Sequence, residues 1–266
     1  MTALAHARPG DEYVLFCEGV HTLTKIDLLQ YKRGQMERRI RTLAERRGVT
    51  TLLPYLTVLR RDPALLDEFL DRVTINVSQL WRNPEQWEAL AAVVLPDLAR
   101  TGTIRVWSAG CSYGAEAFTV AALCKEFAPR AKTSIHGTDI DARMIVRARE
   151  GRFNTDDARS APASALQRWF EPDERGWIAK PELKELATFE TGDLLRMSLP
   201  RAHYDLVLCR NTVIYFTEEV RDELHARIAA SIRPGGWFVV GATERVAKPQ
   251  ELGFELLRPF TYRKAG

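Results

Sequence analysis

The spacing of apolar residues divides the chain into an N-terminal part that favours helices and a C-terminal part in which strands and helices alternate. Residues 11–98 have helical periodicity, most clearly where Met36, Ile40 and Leu43 fall on one side of a helix. The segment 74–84 interrupts this pattern just before the alternation begins.

Beyond residue 102, short apolar runs alternate with helical patterns. The runs predict strands at 104–107, 133–138, 204–209 and 237–240, and the patterns between them predict helices at 117–127, 141–150 and 218–232. Thr217 is a predicted N-cap, and residues 233–236 predict a tight turn. Residues 152–190 break the alternation, and the runs 177–180 and 187–190 predict a short antiparallel β insert.

Alternation of this kind is typical of an α/β fold, a doubly wound parallel sheet with helices on both faces. The composition agrees, because 45% hydrophobic and 27% charged residues are typical of globular proteins and exclude collagen-like or wholly disordered chains. We therefore expect a helical domain and linker at 1–98 and a sheet domain at 99–266, with the β insert at about 152–190.

The four cysteines and five histidines are scattered, without the spacing of a zinc site or a disulfide framework. No apolar run approaches the roughly 20 residues needed to span a bilayer. The first ten residues are too few and too polar for a signal peptide. A cytoplasmic protein without metal or membrane insertion is the expectation.

Basic residues are concentrated near the N-terminus, although the net charge is only +3. Between Tyr31 and Arg61 there are nine Lys or Arg against two acids, Glu37 and Glu45. Such a basic surface predicts an acidic partner.

The first predicted strand ends in a loop that contains Gly110 and Gly114, and the next strand ends at Asp139. Glycines let the backbone approach a ligand, and a carboxylate in this position can accept both hydroxyls of a ribose. The loop lacks Gly-x-Gly-x-x-Gly, which disfavours a dinucleotide and favours S-adenosylmethionine (SAM). The alternative is a strand–helix turn that binds nothing.

Two more segments place polar side chains among apolar ones. Arg210, Asn211 and Tyr215 follow a predicted buried strand, where sheets of this kind bind ligands. The interrupting segment 74–84 carries Asn76, Ser78 and Arg82, also at close spacing. Taken alone, each segment is also consistent with helix capping and core packing.

Taken together and in order, these motifs resemble the chemotaxis receptor glutamate O-methyltransferases of the CheR family. The resemblance runs from about residue 23 to residue 262. It is carried by Asn-Val-Ser-Gln-Leu-Trp-Arg at 76–82, Trp-Ser-Ala-Gly-Cys-Ser at 107–112, Thr-Asp-Ile-Asp at 138–141 and Cys-Arg-Asn-x-x-Ile-Tyr-Phe at 209–216.

The resemblance implies a class I SAM-dependent methyltransferase domain with a helical N-terminal domain and a small β-subdomain. It implies that SAM is bound, with S-adenosylhomocysteine as product, by residues from all four motifs and two further acids. They are Asn76, Ser78, Arg82, Gly110, Glu116, Asp139, Asp193, Arg210, Asn211 and Tyr215. Arg82 and Tyr215 are implied to lie nearest the transferred methyl group and are the expected catalytic residues.

The implied substrates are glutamates in acidic cytoplasmic helices of methyl-accepting chemoreceptors, and methylation serves chemotactic adaptation. The basic helix is then the expected receptor-docking surface, formed by Arg38, Arg39, Arg41 and Arg46. A cytoplasmic monomer recruited to receptor arrays is expected. The compact insert, without a glycine-rich loop at 171–177, resembles members that do not depend on a receptor tether peptide.

The chain departs from the family pattern at several positions near the expected cofactor site. Ala115 and Ala117 flank Glu116 where Glu-Glu-Pro is usual, so one acid of two remains. Tyr113 replaces a usual Thr, and Asp193 replaces a common Asn.

Two other functions are compatible with a SAM-binding fold. A nucleic-acid methyltransferase would explain the basic helix, but the chain lacks the Asp/Asn-Pro-Pro-aromatic and Pro-Cys motifs of such enzymes. A non-catalytic SAM-binding module would explain the departures, but not the retention of Arg82 and Tyr215. A dehydrogenase is disfavoured because the dinucleotide phosphate fingerprint is missing.

Overall fold

The computed structural model describes residues 10–74 and 76–266. Ile75 and residues 1–9 lie outside the described part. The prediction that the N-terminus is not a signal peptide therefore concerns residues outside this description. The described chain forms two compact units, one of them extending to Asn76 and including Tyr215–Val220, the other made of Val77–Ile214 and Arg221–Gly266. The expected boundary at residue 98 marks where the strand pattern begins, whereas the packing divides the chain after Asn76.

In the described part of the helical unit, residues 10–76 form four α-helices: α1 (Glu12–Thr24), α2 (Arg33–Glu45), α3 (Leu52–Arg61) and α4 (Pro63–Val73). A short 3₁₀ helix spans Leu28–Gln30. The predicted apolar side of α2 is buried, and the rings of Phe16, Tyr55 and Phe69 pack with centroids 5.9–6.1 Å apart. Asp62 caps α4 by accepting from the Leu65 N–H, and Pro63 begins that helix.

The sheet unit holds ten strands. They are β1 (Thr103–Ala109), β2 (Lys132–Asp139), β3 (Arg152–Asn154), β4 (Phe170–Asp173), β5 (Gly176–Ala179), β6 (Ala187–Thr191), β7 (Tyr204–Cys209), β8 (Ile232–Val240), β9 (Phe254–Arg258) and β10 (Thr261–Lys264). Seven form one sheet in the order β6-β2-β1-β7-β8-β10-β9. The first five strands in this order pair in parallel, and β10 pairs antiparallel with both β8 and β9. Strands β3, β5 and β4 form a small antiparallel sheet.

Helices α7 (Ala115–Phe127), α8 (Ala142–Glu150) and α11 (Glu218–Ser231) follow the parallel strands β1, β2 and β7. Helices α5 (Pro84–Ala89) and α6 (Leu95–Ala99), with a π-helix at Leu90–Val94 between them, precede β1, and α9 (Ala163–Trp169) and α10 (Pro181–Lys184) lie between β3 and β6. Every residue of β7 is buried, which is typical of a parallel strand covered on both faces. The predicted fold class is therefore confirmed: an α/β doubly wound sheet with a helical N-terminal part and a small antiparallel insert.

Two local predictions are wrong. The run 187–190, predicted as part of the antiparallel insert, is β6, which pairs parallel with β2 at the edge of the main sheet. The Phe189 ring occupies the space above Gly137, where an added Cβ would lie 2.6 Å from the ring, so this packing requires glycine on β2. The turn predicted at 233–236 lies within β8 as a bulge, with Gly235 at φ +74°, and α11 ends one residue earlier than predicted.

The four cysteines are buried free thiols. Across the described ranges, every helix is too short or too polar to cross a membrane.

Candidate functional site

Three of the predicted site residues follow directly after neighbouring parallel strands. Gly110 follows β1, Asp139 ends β2, and Arg210 follows β7. Strands β2 and β7 lie on opposite sides of β1, so the direction in which successive strands join the sheet reverses between β1 and β7. Open α/β sheets bind ligands at the carboxyl ends of the strands at such a switch point, which makes this edge the candidate site.

The loop after β1 is shaped by two glycines with positive φ. Gly110 has φ +76°, and a Cβ there would lie 2.5 Å from the Thr212 hydroxyl. Gly114 has φ +86° and precedes α7, where a Cβ would lie within 3.3 Å of Ala148 and Phe189. Both the backbone conformation and the lack of space therefore require glycine, as the sequence analysis expects for a ligand-binding loop.

Asp139 is buried at the carboxyl end of β2. Its Oδ2 accepts from the Ser112 N–H at 2.8 Å, and its Oδ1 accepts from the Asp141 N–H at 2.9 Å. Burial raises the pKa of this carboxyl to about 6, which hydrogen bonds from backbone N–H groups only partly oppose. A carboxylate offers about four acceptor positions, so two remain for a pair of ligand hydroxyls.

The same loop contains a polar group without a protein partner in the described structure. The Ser112 hydroxyl is buried and makes no hydrogen bond, and Ser112 has φ +49°. A buried unsatisfied hydroxyl costs free energy unless a ligand or water completes it. Together with the spare acceptor positions of Asp139, this hydroxyl fits a polar ligand such as a ribose.

Glu116, in the first turn of α7, is buried and paired. Its Oε1 accepts from the Ser108 hydroxyl at 2.8 Å, and its Oε2 accepts from Arg210 Nη1 at 3.2 Å. Burial raises the pKa of Glu116, and the Arg210 charge opposes this. Gln86 was not predicted from the sequence, yet its Oε1 accepts from Arg210 Nη2 at 2.8 Å. The guanidinium also stacks over the Trp87 ring at 4.6 Å.

The segment that carries Ser78 and Arg82 is held in place through its backbone. The Arg82 carbonyl accepts from Arg210 Nη2 at 2.6 Å and from Trp87 Nε1 at 2.9 Å. The half-buried Arg82 side chain donates from Nη1 to the Val77 carbonyl at 2.8 Å. Arg210 therefore links the Arg82 segment to Glu116 in one buried network.

Tyr113, where the family usually has Thr, also contacts this segment. Its hydroxyl contacts the Ser78 carbonyl and donates to Asp157 Oδ1 at 2.8 Å. The Arg147 guanidinium lies 4.3 Å from the Tyr113 ring centroid. Burial raises the pKa of Tyr113 further above neutral pH. Tyr113 thus links the glycine loop to the segment 77–82.

Asn211 and Asp193 occupy loops at the same edge of the sheet. Asn211 has φ +59°, and its N–H donates to Glu244 Oε2 at 2.7 Å. Asp193 Oδ1 accepts from the Leu195 N–H at 2.9 Å, and the neighbouring Gly192 N–H donates to the Asp139 carbonyl at 2.9 Å. The segment that contains Asp193 is thereby fixed beside Asp139. Glu244, three residues after Gly241, was missed because its role depends on contacts distant in sequence.

The structure therefore groups the predicted residues of the sheet unit in two clusters. Arg82, Glu116 and Arg210 share the buried network, and Gly110 and the Asp193 segment lie beside β2 and Asp139. Asn76 and Tyr215 belong to the helical unit. In that unit the Asn76 Nδ2 donates to the Thr74 hydroxyl at 2.9 Å, and the Tyr215 carbonyl accepts from the Lys32 N–H at 2.8 Å.

The predicted docking arginines lie on or just after α2. Arg41 donates from Nη2 to Glu37 Oε1 at 2.7 Å, an i,i+4 pair within α2, and its Nη1 lies 3.7 Å from Glu12 Oε2. Arg38 and Arg46 are exposed and Arg39 is half-buried. In the described ranges, no group of three or more His, Cys, Asp or Glu side chains is arranged to hold a metal ion.

Comparison with known families gives two adjacent matches. The model "CheR methyltransferase, all-alpha domain" matches residues 11–74, and "CheR methyltransferase, SAM binding domain" matches residues 76–258. Together they span the helical segment and nearly all of the sheet.

Relatives matched over most of their length carry the same description. The chemotaxis protein methyltransferase of Listeria monocytogenes is 31% identical over 255 residues, covering 95% of this chain and 97% of that protein. Chemotaxis protein methyltransferase Cher2 of Pseudomonas putida is 28% identical over 226 residues, covering 80% and 82%. Chemotaxis protein methyltransferase 1 of Pseudomonas aeruginosa is 29% identical over 225 residues, with the same coverage. The resemblance read from the motifs is thus confirmed, and the chain belongs to the CheR methyltransferase family as a SAM-dependent methyltransferase of chemotaxis.

Proposed function

We propose that this protein transfers the methyl group of SAM to glutamate side chains in the acidic cytoplasmic helices of chemoreceptors, forming glutamyl methyl esters and S-adenosylhomocysteine. The enzyme acts as a monomer in the cytoplasm and is recruited to receptor arrays through the receptors. The observation that carries the proposal is the pair of family matches at 11–74 and 76–258, because they include the predicted docking helix as well as the SAM-binding sheet.

The residues at the sheet edge fit SAM. Asp139 has two spare acceptor positions for the ribose hydroxyls, and the unpaired Ser112 hydroxyl lies in the same loop. Glu116 is a buried carboxylate suited to the amino group of the methionine moiety. The proposed binding set is Asn76, Ser78, Arg82, Gly110, Glu116, Asp139, Asp193, Arg210, Asn211 and Tyr215.

The buried charges at this edge also suit a cation. Asp139, Glu116 and Glu244 are buried acids, and Arg210 is the buried base among them. Buried carboxylates therefore outnumber buried arginines at this edge, and this imbalance favours a ligand that carries net positive charge. SAM has a sulfonium, an ammonium and a carboxylate group and is therefore a net cation, whereas a dinucleotide would bring phosphates.

The reaction requires alignment more than proton transfer. Bound SAM supplies an electrophilic methyl group on its sulfonium. A free glutamate has a pKa of about 4.3 and is already an ionised nucleophile at neutral pH, so no general base is needed. We assign Arg82 to steering the substrate carboxylate by a forked hydrogen bond, and Tyr215 to orienting the methyl group and limiting water.

Arg82 is suited to this role by how it is held. Its backbone carbonyl accepts two hydrogen bonds, whereas its guanidinium has one described acceptor, the Val77 carbonyl. The main chain of Arg82 is fixed, while further N–H groups of its side chain remain to donate hydrogen bonds to a substrate carboxylate. A closer, fully buried ion pair would weaken the nucleophile, so a half-buried arginine is the better arrangement.

Receptor docking is assigned to Arg38, Arg39, Arg41 and Arg46. Arg38 and Arg46 are exposed and have no acidic partner in the described structure, which leaves their charge for an acidic helix. Arg41 is shared with Glu37 and contributes less. The short β4–β5 connection supports an enzyme that does not depend on a receptor tether peptide. Such an enzyme is expected to methylate receptors with and without a C-terminal tether peptide at the same rate.

The decisive experiment combines methyl-labelled SAM with receptor cytoplasmic fragments, followed by base treatment and collection of volatile methanol. Glutamyl methyl esters release methanol in base, whereas methylated amines and nucleobases do not. We expect labelled methanol from the wild type and from Arg130→Ala, a control arginine exposed near the start of β2, but not from Arg82→Ala. Label retained on nucleic acid, or SAM binding without transfer to any receptor tested, would contradict the proposal.

A further inference from the structure

A buried carboxylate beyond the end of β8 accepts hydrogen bonds from backbone N–H groups that follow two neighbouring strands, β7 and β8. Glu244 is 3% exposed. Its Oε2 accepts from the N–H groups of Asn211 and Gly241, each at 2.7 Å. Its Oε1 accepts from the N–H groups of Val213 at 3.0 Å and Ile214 at 3.3 Å. One side chain therefore satisfies four main-chain donors, three of them in the loop after β7.

This loop adopts a conformation that is unfavourable without support. Asn211 has φ +59°, in the left-handed region that costs free energy for residues other than glycine. The loop also lies directly against the glycine loop of the candidate site, because a Cβ on Gly110 would meet the Thr212 hydroxyl at 2.5 Å. A shift of the loop would therefore change the space beside Gly110.

The chemistry of four converging N–H groups selects a carboxylate. An ionised carboxylate has about four acceptor positions and no hydrogen to donate, whereas an amide of the same size has one oxygen and an NH₂ group. Glutamine in this position would turn its NH₂ toward two of the four N–H donors. Glycine at 241 completes the arrangement, since a Cβ there would lie 2.6 Å from Glu244 Oε2 and 2.8 Å from the Asn211 nitrogen.

We propose that Glu244 is a positioning residue of the SAM site, which holds the loop 211–214 against the glycine loop and so places Asn211 for the cofactor. The proposal rests on the proposed function and adds to it a residue that touches the loop rather than the ligand. Because four hydrogen bonds depend on this side chain, position 244 requires a carboxylate of the length of Glu and not merely a side chain of similar volume.

Calorimetric titration of the full-length protein with S-adenosylhomocysteine tests this role. Glu244→Gln keeps the volume and is expected to weaken binding by at least about tenfold, as for the loss of a charged hydrogen-bond acceptor. Asp205→Asn is the matched control. Asp205 is buried at the other end of β7, where it accepts from the Arg105 N–H at 2.7 Å and pairs with Arg233. This control is expected to lower the melting temperature while leaving affinity within about twofold of wild type.

A double-mutant cycle separates positioning from general stability. If Glu244 acts through Asn211, the variant that combines Glu244→Gln with Asn211→Ala binds no more than about twofold more weakly than the weaker single variant. Wild-type affinity in Glu244→Gln, or independent losses that multiply in the double variant, would overturn this proposal alone. Wild-type affinity in Asn211→Ala, or a wild type that binds no S-adenosylhomocysteine, would overturn the proposed site together with this proposal.

Gly241→Ala provides the same test if Glu244→Gln is not recovered as folded protein. The added methyl group displaces the carboxylate from the Asn211 N–H without removing its charge. We expect a similar selective loss of affinity relative to Asp205→Asn, and unchanged affinity would overturn the role of Glu244.

Discussion

Arg210 donates to the Glu116 carboxylate across 3.2 Å, and both side chains are buried. The same guanidinium donates to the Arg82 carbonyl at 2.6 Å. The end of β7, the first turn of α7 and the segment before α5 therefore depend on one buried cation. Removing that cation affects the fold and the proposed site at once.

Replacing Arg210 with Met is expected to destabilise the protein by about 3–5 kcal/mol, because Glu116 stays buried without its partner. Urea unfolding monitored by circular dichroism measures this loss. Adding Glu116→Gln to Arg210→Met removes the unpaired charge, so the double variant is expected to recover part of the stability but not SAM affinity. A loss below about 1 kcal/mol in Arg210→Met would show that the pair does not hold these elements.

Asp139 predicts a pH dependence of SAM affinity. Burial raises the pKa of its carboxyl to about 6 in the folded protein, and the protonated form loses acceptor positions for the ribose hydroxyls. Affinity is therefore expected to be constant above about pH 7 and to fall towards tenfold per pH unit well below pH 6. Titrations between pH 5 and 8 measure it.

Asp139→Asn is the control for this pH dependence. It binds SAM more weakly and lacks the Asp139 contribution between pH 5 and 7, while the buried acids Glu116 and Glu244 remain. Identical pH profiles of wild type and variant would assign the pH dependence to another group.

The sequence predicts the repeating part of the fold well and the exceptions poorly. The strands at 104–107, 133–138 and 204–209 follow from apolar runs between helical patterns, and all three lie in the parallel sheet. The run 187–190 has the same local character, but its place beside β2 depends on Phe189 fitting over Gly137. A contact between residues so distant in sequence leaves no periodic signal.

The candidate site divides in the same way. Gly110, Asp139 and Arg210 could be predicted because strand ends are visible in the sequence and ligands bind beyond them. Glu244 and Gln86 could not, since each acts by accepting hydrogen bonds from remote segments. The bulge in β8 could not be predicted from the sequence either, because Gly235 and its neighbours have the composition of a turn between two elements.

His225 predicts a stability loss in acid. The ring is buried on α11, neither nitrogen has a hydrogen-bond partner in the described structure, and burial lowers its pKa to about 4. The neighbouring charges of Arg221 and Asp222 act in opposite directions. Below pH 6.5 the ring becomes protonated in the unfolded chain but stays neutral in the folded protein. The contribution of His225 to the free energy of unfolding is therefore fully present above pH 6.5, and up to about 3 kcal/mol is lost as the pH falls towards 4.

The difference between wild type and His225→Leu isolates this contribution from those of the buried acids. Urea unfolding at several pH values is expected to give a shallower loss for the variant between pH 6.5 and 4. Parallel stability curves for the two proteins would contradict the lowered pKa of His225.

The docking surface predicts a selective effect on receptor recognition. Reversing the charges of Arg38 and Arg46 to Glu is expected to raise KM for receptor fragments by about tenfold, because both charges are exposed and available to an acidic helix. Binding of S-adenosylhomocysteine should be unchanged. The wild-type KM should rise with salt, since exposed charges are screened, and the variant should respond less. The control reverses two exposed charges of the sheet unit, Arg100 and Arg130, to Glu, which changes the net charge by the same amount, and it is expected to keep the wild-type KM. If the Arg38/Arg46 variant and the control lost receptor affinity equally, net charge rather than this helix would steer the receptor. An unchanged KM in the Arg38/Arg46 variant would place docking elsewhere.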